Sequence, residues 1–305
     1  MLFLPIILIF ASSTLATVIP LDSDNEGNLM VEMRGGLRSH RIVFTSSSRS
    51  YRPYEEYWGE LDIIREDYNI SLVSGIDNSF SFNFLSHMHE FHAFRRRDSI
   101  LGIGPGGDFF LAAGGSVSVV RSTISHSGYL VLNVTGTDFV ENYCASDSSV
   151  LIPLLRPEFA WGDSKSLYGI IQVGETRQSD SVFEIEITDG DNLVGLPYLM
   201  YPNLYAALGT WRVVSENERP RFEDCQSVIS RLPQIDIVFS RSQNSLEPAG
   251  IIRLAPEDYV RHIDEDTCEL LIVNSHSSHL TLNPLLLPDV NIRIENDAIT
   301  ICDSN

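Results

Sequence analysis

Val182-Phe-Glu-Ile-Glu-Ile187 runs straight into Thr188-Asp-Gly-Asp191. Phe183, Ile185 and Ile187 recur every second residue, the mark of a half-buried β-strand, and the Asp-Gly that follows is a turn signal. Outward from this stretch the same period repeats. Val290-Asn-Ile-Arg-Ile294 alternates, passes through the polar turn Glu295-Asn-Asp297 and continues as Ala298-Ile-Thr-Ile-Cys302, which predicts a C-terminal hairpin. Similar runs lie at Ser79–Leu85, Ser116–Val120, Tyr129–Val134, Ser149–Leu155 and Ile235–Phe239. Helical patches are short, at Met200–Leu208, Cys225–Arg231 and Pro256–His262. No alternation of strands with long helices is present, so a doubly wound parallel sheet is excluded and the chain reads as all-β.

The first sixteen residues predict a compartment. Leu2–Phe10 is an apolar run, and Thr14-Leu-Ala16 fits a signal-peptidase site, so residues 1–16 read as a cleaved secretory signal. No later run reaches the length of a membrane span, so no membrane anchor is expected. Four cysteines, Cys144, Cys225, Cys268 and Cys302, suggest two disulfides with three pairings open. Asn69-Ile-Ser71 and Asn133-Val-Thr135 are glycosylation acceptors of the same compartment. A net charge of −20 argues against nucleic acid as a partner, because phosphate contacts need clustered Lys and Arg, and Lys165 is the only lysine.

Three motifs mislead. Gly102-Ile-Gly-Pro-Gly-Gly107 matches a dinucleotide fingerprint, but Pro105 sits inside it and Gly114-Gly115 would break the long helix such a site requires. His87 and His89 would share one strand face with zinc-like spacing, yet His92 would face away and no cysteine is close in sequence, so a solvated strand end is preferred. Arg95-Arg-Arg97 reads as a surface triplet paired with carboxylates. No cofactor and no metal is assigned, and no G-x-S-x-G elbow is present for a serine hydrolase.

Several segments, taken in order, resemble the pepsin-like aspartic proteases. Asp98-Ser-Ile-Leu-Gly-Ile-Gly-Pro105 is similar to that family's DGILGLG segment. Tyr168-Gly-Ile-Ile-Gln-Val-Gly174 resembles the strand ahead of its second catalytic loop, and Leu232-Pro-Gln-Ile-Asp-Ile-Val-Phe239 resembles LPDIVF. Leu282–Ile301 resembles its C-terminal end. The matches are collinear over nearly the whole mature chain. They imply a bilobal pepsin-like double β-barrel with a few short helices, an N-terminal lobe over 17–157 and a C-terminal lobe over 158–305. The polar stretch Arg156–Lys165 would be the joint. The resemblance also implies a Cys225–Cys268 bond in the second lobe, which leaves Cys144 to Cys302.

The catalytic loops depart from the family. Its chemistry needs two aspartates that share a proton, one as base on a water and one as acid. Where the family has V-x-F-D-T-G-S, this chain has Ile42-Val-Phe-Thr-Ser-Ser-Ser48, so the aspartate falls on Thr45 and the loop glycine on Ser47. In the second lobe the aspartate falls on Thr188, followed by Asp189 and with Gly190 as the loop glycine. The later glycine and aspartate of that lobe fall on Asn283 and Pro284. Tyr51–Trp58 runs almost at once into Gly59-Glu-Leu-Asp-Ile, which leaves little room for a flap. The expected function is therefore non-catalytic: a secreted or secretory/endolysosomal monomer that takes a peptide or protein ligand in the interlobe cleft. The alternatives are an aspartic endopeptidase with a divergent site, using Asp189, and a secreted β-sandwich adhesion or carbohydrate-binding module.

Overall fold

The computed structural model describes residues 16–23, 29–35, 38–45, 51–53, 63–71, 77–87, 99–121, 128–156, 165–177, 182–187, 192–197, 204, 219–275, 279–287 and 289–304; for residues 32–100 the description is of the backbone alone. Strands number in chain order. The first sheet holds β1 (Thr17–Ser23), β2 (Leu29–Gly35), β3 (Arg38–Thr45), β4 (Tyr51–Pro53), β5 (Ile63–Ser71), β6 (Asp77–His87), β7 (Ser99–Gly102), β8 (Ser116–Arg121), β9 (Gly128–Leu132) and β10 (Val150–Pro153). It also holds the last two strands, β22 (Val290–Glu295) and β23 (Ala298–Asp303). Its order is β10-β23-β22-β8-β9-β1-β2-β3-β7-β4-β6-β5.

The second sheet holds β11 (Leu167–Val173), β12 (Thr176–Arg177), β13 (Phe183–Ile187), β14 (Val194–Leu196), β16 (Ile235–Ser240), β17 (Pro248–Leu254), β20 (Ile272–Asn274) and β21 (Leu280–Leu282). A small third sheet is built from β15 (Arg221–Glu223), β18 (Val260–His262) and β19 (Thr267–Leu270). The expected C-terminal hairpin is present, with Ile294 opposite Ile299. The sequence did not reveal its partners. β22 pairs with β8, and β23 pairs with β10, so the end of the chain completes a sheet begun by its first half.

The two halves repeat one strand pattern. In the first half β2 and β3 are antiparallel, β3 runs parallel to β7, β7 is antiparallel to β4, β4 is parallel to β6, and β2 also pairs with β5. In the second half β11 and β13 are antiparallel, β13 runs parallel to β21, β21 is antiparallel to β14, β14 is parallel to β20, and β11 also pairs with β16. Each half then adds an antiparallel hairpin, β5–β6 or β16–β17. The first of these corrects the reading that little room is left for a flap. Nine residue pairs join Ile63–Ser71 to Asp77–Leu85, with 72–76 between them. Asp67, Asn69, Ser79 and Ser81 share one face of it, and Tyr68, Phe80 and Phe82 the other. The polar residues of β5 had hidden this strand.

One apolar core runs through both halves, from Ile19, Val117 and Leu130 to Ile171, Ile237 and Leu282. Burial alternates as the period predicts: Ile235, Ile237 and Phe239 are buried along β16. Two helices escaped the sequence reading. α1 (Asp108–Ala112) stops at Gly114 and Gly115, whose φ values are +83° and +81°. α2 (Gly136–Tyr143) starts at Thr135, whose hydroxyl accepts from Asp138 N at 3.1 Å. Of the expected helices, Cys225–Ile229 forms, Pro256–Tyr259 gives way to β18 because Val260 pairs with Leu270, and Met200–Leu208 lies outside the described residues apart from Leu204.

The expected Cys144–Cys302 disulfide is formed and ties the end of α2 to β23. The bond expected between Cys225 and Cys268 is not: both are buried free thiols. The lobe boundary expected at 157/158 and the signal reading of residues 1–16 stay expectations, since 157–164 and 1–15 lie outside the described residues. The flanks of the joint are drawn together by Leu155 and Ser166, which exchange two backbone hydrogen bonds of 2.9 Å. Lys165 Nζ then reaches Asp297 at 2.7 Å in the turn of the C-terminal hairpin.

Gly169 shows how tightly the second sheet is stacked. It lies on β11 between β13 and β16, and a Cβ there would stand 2.5 Å from Val238 O and 3.0 Å from Ile185 Cδ1. Backbone cannot give way as a side-chain tip can. Gly169→Ala should therefore cost about 1–3 kcal/mol, the usual range for overpacking. Chemical denaturation of the two proteins measures it, and equal midpoints would contradict the close approach.

Candidate functional site

Parallel pairing positions the first candidate loop. β3 is pulled alongside β7, with Phe44 opposite Leu101 and its last residue, Thr45, opposite Gly102. The second lobe repeats the pairing, with Ile187 opposite Leu282. One residue further along each of these strands come Thr188 and Asn283. The first ladder thus ends at the pair Thr45–Gly102, and the described part of the second ends at Ile187–Leu282, one residue before Thr188 and Asn283 in sequence. Ser47, Thr188, Asp189 and Gly190 lie outside the described residues, as does any approach of the two loops to each other.

The strand ends opposite the two loops differ. After Gly102 the chain turns through Gly104–Gly107, with Gly107 N donating to Gly104 O at 3.2 Å, and enters α1. After β21 stands Asn283, buried at 4% exposure. Its backbone N donates to Leu193 O at 2.9 Å. Its Oδ1 accepts from Leu285 N at 3.1 Å and starts the single turn Pro284–Leu286. The residue just beyond the second ladder thus carries a buried side chain, whereas Gly102 at the end of the first carries none. The sequence shows the exchange of residues, but not that Asn283 is spent on a cap.

The chain leaving the second loop is held by a buried carboxylate. Asn192 Oδ1 accepts from Arg219 Nε at 2.9 Å, and Arg219 Nη1 pairs with Glu269 Oε1 at 2.8 Å. Glu269 is 2% exposed and also meets Arg261 and Arg221, its neighbours across β18 and β15. Leu193 N then bonds to Leu271 O at 2.8 Å, and β14 enters the sheet. Burial pushes the Glu269 carboxyl up, but Arg219 and Arg261 pull it down further, to a net position below the ordinary range. Sequence reading had no signal for this cluster, because Arg219, Arg261 and Glu269 are joined only by the third sheet.

The free thiols sit beside the same sheet. Cys225 Sγ lies 3.4 Å from Asp266 O, and Cys268 is fully buried within hydrogen-bonding reach of Cys225. Burial, and then the hydrogen bond with Cys225, raise the Cys268 thiol above its usual range. The unformed bond is thus a matter of oxidation state, since the two residues already pack together. Of the histidines weighed as ligands, His87 closes β6, while His89, His92 and Arg95–Arg97 lie outside the described residues. No group of three or more His, Cys, Asp or Glu able to hold a metal occurs among the described residues. Asn69 lies midway along β5, and Asn133 is exposed after β9.

No protein-family profile and no curated protein sequence matches the chain. Its structure is similar to that of basic 7S globulin from soybean, with a TM-score of 0.62 over 94% of each chain at 10% sequence identity. At that identity the likeness is one of fold: the chain adopts the all-β, bilobal pepsin-like architecture.

Two outcomes are expected from these contacts. Glu269→Gln should destabilise the protein by about 3–5 kcal/mol at neutral pH, because Arg219 and Arg261 lose a buried counter-charge. A carboxylate with a depressed folded pKa stabilises above its unfolded value of about 4.3 and loses that contribution as pH falls through the folded value. The gap between mutant and wild type should therefore close on acidification, and a pH-independent gap in melting temperature would refute the ion-pair account. Oxidised glutathione should join Cys225 to Cys268 and to no other cysteine. Non-reduced peptide mapping that links either to Cys144 or Cys302 would contradict the packing.

Proposed function

We propose that this chain is a non-catalytic pepsin-like protein of the secretory pathway whose interlobe cleft takes a peptide or protein ligand. The observation that carries the reading is the pair of threonines. By the sequence resemblance the family's aspartates fall on Thr45 and Thr188, and the parallel ladders β3–β7 and β13–β21 support this by reaching Thr45 and, one residue short of Thr188, Ile187. A threonine hydroxyl has no accessible ionised form in the acid or neutral range, so it cannot act as general base on water. Two such hydroxyls can still donate to and accept from a backbone amide, which suits holding an extended peptide and not cutting it.

Secretion is supported by the apolar run at Leu2–Phe10 and by a disulfide between residues far apart in sequence, Cys144 and Cys302, which persists only in an oxidising compartment. No helix among the described residues is long and apolar enough to cross a membrane. The ligand is met through hydrogen bonds to its main chain, so the reading favours breadth over sharp side-chain selectivity.

The purified protein should leave denatured globin and peptide substrates uncut in the acid range where a shared-proton aspartate pair works. A statine-type inhibitor should not bind, because its hydroxyl relies on charge-assisted hydrogen bonds that are about twice as strong as neutral ones. Loss of general acid–base help costs ~10²–10⁴ in rate for each group. The double change Thr45→Asp with Thr188→Asp should restore inhibitor binding, read by calorimetry. Acid proteolysis by the unmodified protein, abolished by Asp189→Asn, would overturn the reading in favour of the divergent endopeptidase.

A further inference from the structure

We propose that Asn133 carries an N-linked glycan, presented by a corner of the fold that has room for it. The inference rests on the secretory reading above. The sequon is Asn133-Val-Thr135, but a sequon alone occurs by chance, and it is the surroundings in the fold that favour this one.

Asn133 is the first residue after β9 and stands just ahead of α2. Its φ is +61°, in the left-handed region that asparagine tolerates better than other residues with a side chain, and it is exposed. The surface next to it is bare. Asn133 Oδ1 lies 3.6 Å from where a Cβ on Gly114 would be, and a Cβ on Gly115 would meet nothing within 4 Å. Two glycines in succession, both in the left-handed region, leave open space in which the first sugars can lie. Leu111, 63% exposed, stands one turn back, its carbonyl accepting from Gly114 N at 3.1 Å. The apolar face of a sugar ring covers such a side chain.

The rest of the sequon is consistent with this. Thr135 serves the glycosyl transfer while the chain is still extended. After folding, its hydroxyl turns to α2, donating to Asp138 Oδ2 at 2.7 Å and accepting from Asp138 N. The Asn133 amide stays outside. The last turn of α2 leads to Cys144, so the helix that follows the glycan is anchored by a disulfide made in the same compartment. Asn69 has no such corner, since it lies within a ladder paired with Ser79 on one side and Arg34 on the other.

In the transfer, Asn133 Nδ2 forms a bond to C1 of the first sugar of a lipid-linked oligosaccharyl pyrophosphate. The bond from C1 to the pyrophosphate oxygen breaks, the lipid pyrophosphate leaves, and one amide proton passes to a base of the transferase. Nothing is oxidised or reduced. Once in place, the glycan closes the α1–α2 corner to large partners and leaves recognition to other surfaces.

The test expresses the full chain in glycosylating cells behind a signal peptide of the host, so that translocation does not depend on residues 1–16. Intact mass is read before and after peptide N-glycosidase. Asn133→Asp removes the acceptor and keeps a residue that tolerates positive φ, and Thr135→Ser keeps both the sequon and the cap. The secreted wild type and the Ser variant should both carry a glycan on the Asn133 peptide, and the Asp variant should be lighter by that one glycan. A folded, secreted wild type with a bare Asn133 peptide would overturn the proposal. A parallel expression with the chain's own first sixteen residues tests the secretory reading separately.

Discussion

The pairing of β22 with β8 is the constraint on which the rest of the molecule depends. Ile292 sits opposite Val119 and Ile294 opposite Val117, residues more than 170 positions apart in the chain. Until the C-terminal hairpin arrives, β8 lacks its neighbour on one side and β10 has no partner strand at all. Such long-range pairing carries a loop-closure cost before it contributes any stability, and it makes folding slow. The Cys144–Cys302 bond acts on the same contact. It closes a loop that spans the second half of the chain, which in the chain-entropy picture restricts the unfolded state by about 5 kcal/mol.

With the hairpin in place the first repeat sits in a completed sheet and the second in a sheet of its own, so the two can differ in detail while keeping a common strand pattern. Side chains at the ends of the ladders can thus be exchanged inside an intact fold. The parallel ladders β3–β7 and β13–β21 are backbone structures, and they set where Thr45 and Ile187 fall whatever side chains those positions carry. An aspartate dyad would need its charge managed. A threonine at such a position, as Thr45 is at the end of β3, needs only hydrogen-bond partners, and so costs the fold less. Asn283 adds local order of its own, since its buried amide caps the Pro284 turn.

Local pattern made much of this legible. β8, β13, β16, β22 and β23 follow from alternation of apolar with polar residues, although β8, β22 and β23 bury their polar residues Ser118, Asn291, Arg293 and Thr300 as well. β5 did not, since Arg65, Glu66 and Asp67 interrupt its period while its backbone is paired on both sides. α2 was hidden for a different reason. Its apolar stripe is narrow, Phe139 being its one fully buried side chain, and the Thr135–Asp138 cap was the remaining local signal. Of the two threonines expected in the site, Thr45 closes β3, while Thr188 lies outside the described residues. The Glu269–Arg219–Asn192 relay was not, because three residues spaced tens of positions apart become neighbours only through sheet pairing.

That relay bears on how the second loop can work. Asn192 directly follows the loop, and its partner Arg219 is fixed by a carboxylate with almost no exposure. Three guanidinium groups around one buried Glu269 make protonation of that carboxyl costly, so the anchor survives into moderately acid conditions. An acidic chain with a net charge of −20 loses much of its self-repulsion over the same interval. The two trends act in the same direction. As pH falls from neutral, the overall charge relaxes first, while the framework that carries the second loop keeps its buried ion pair. The ion pair that holds Asn192, and with it the entry to β14, therefore persists while the chain's overall charge falls.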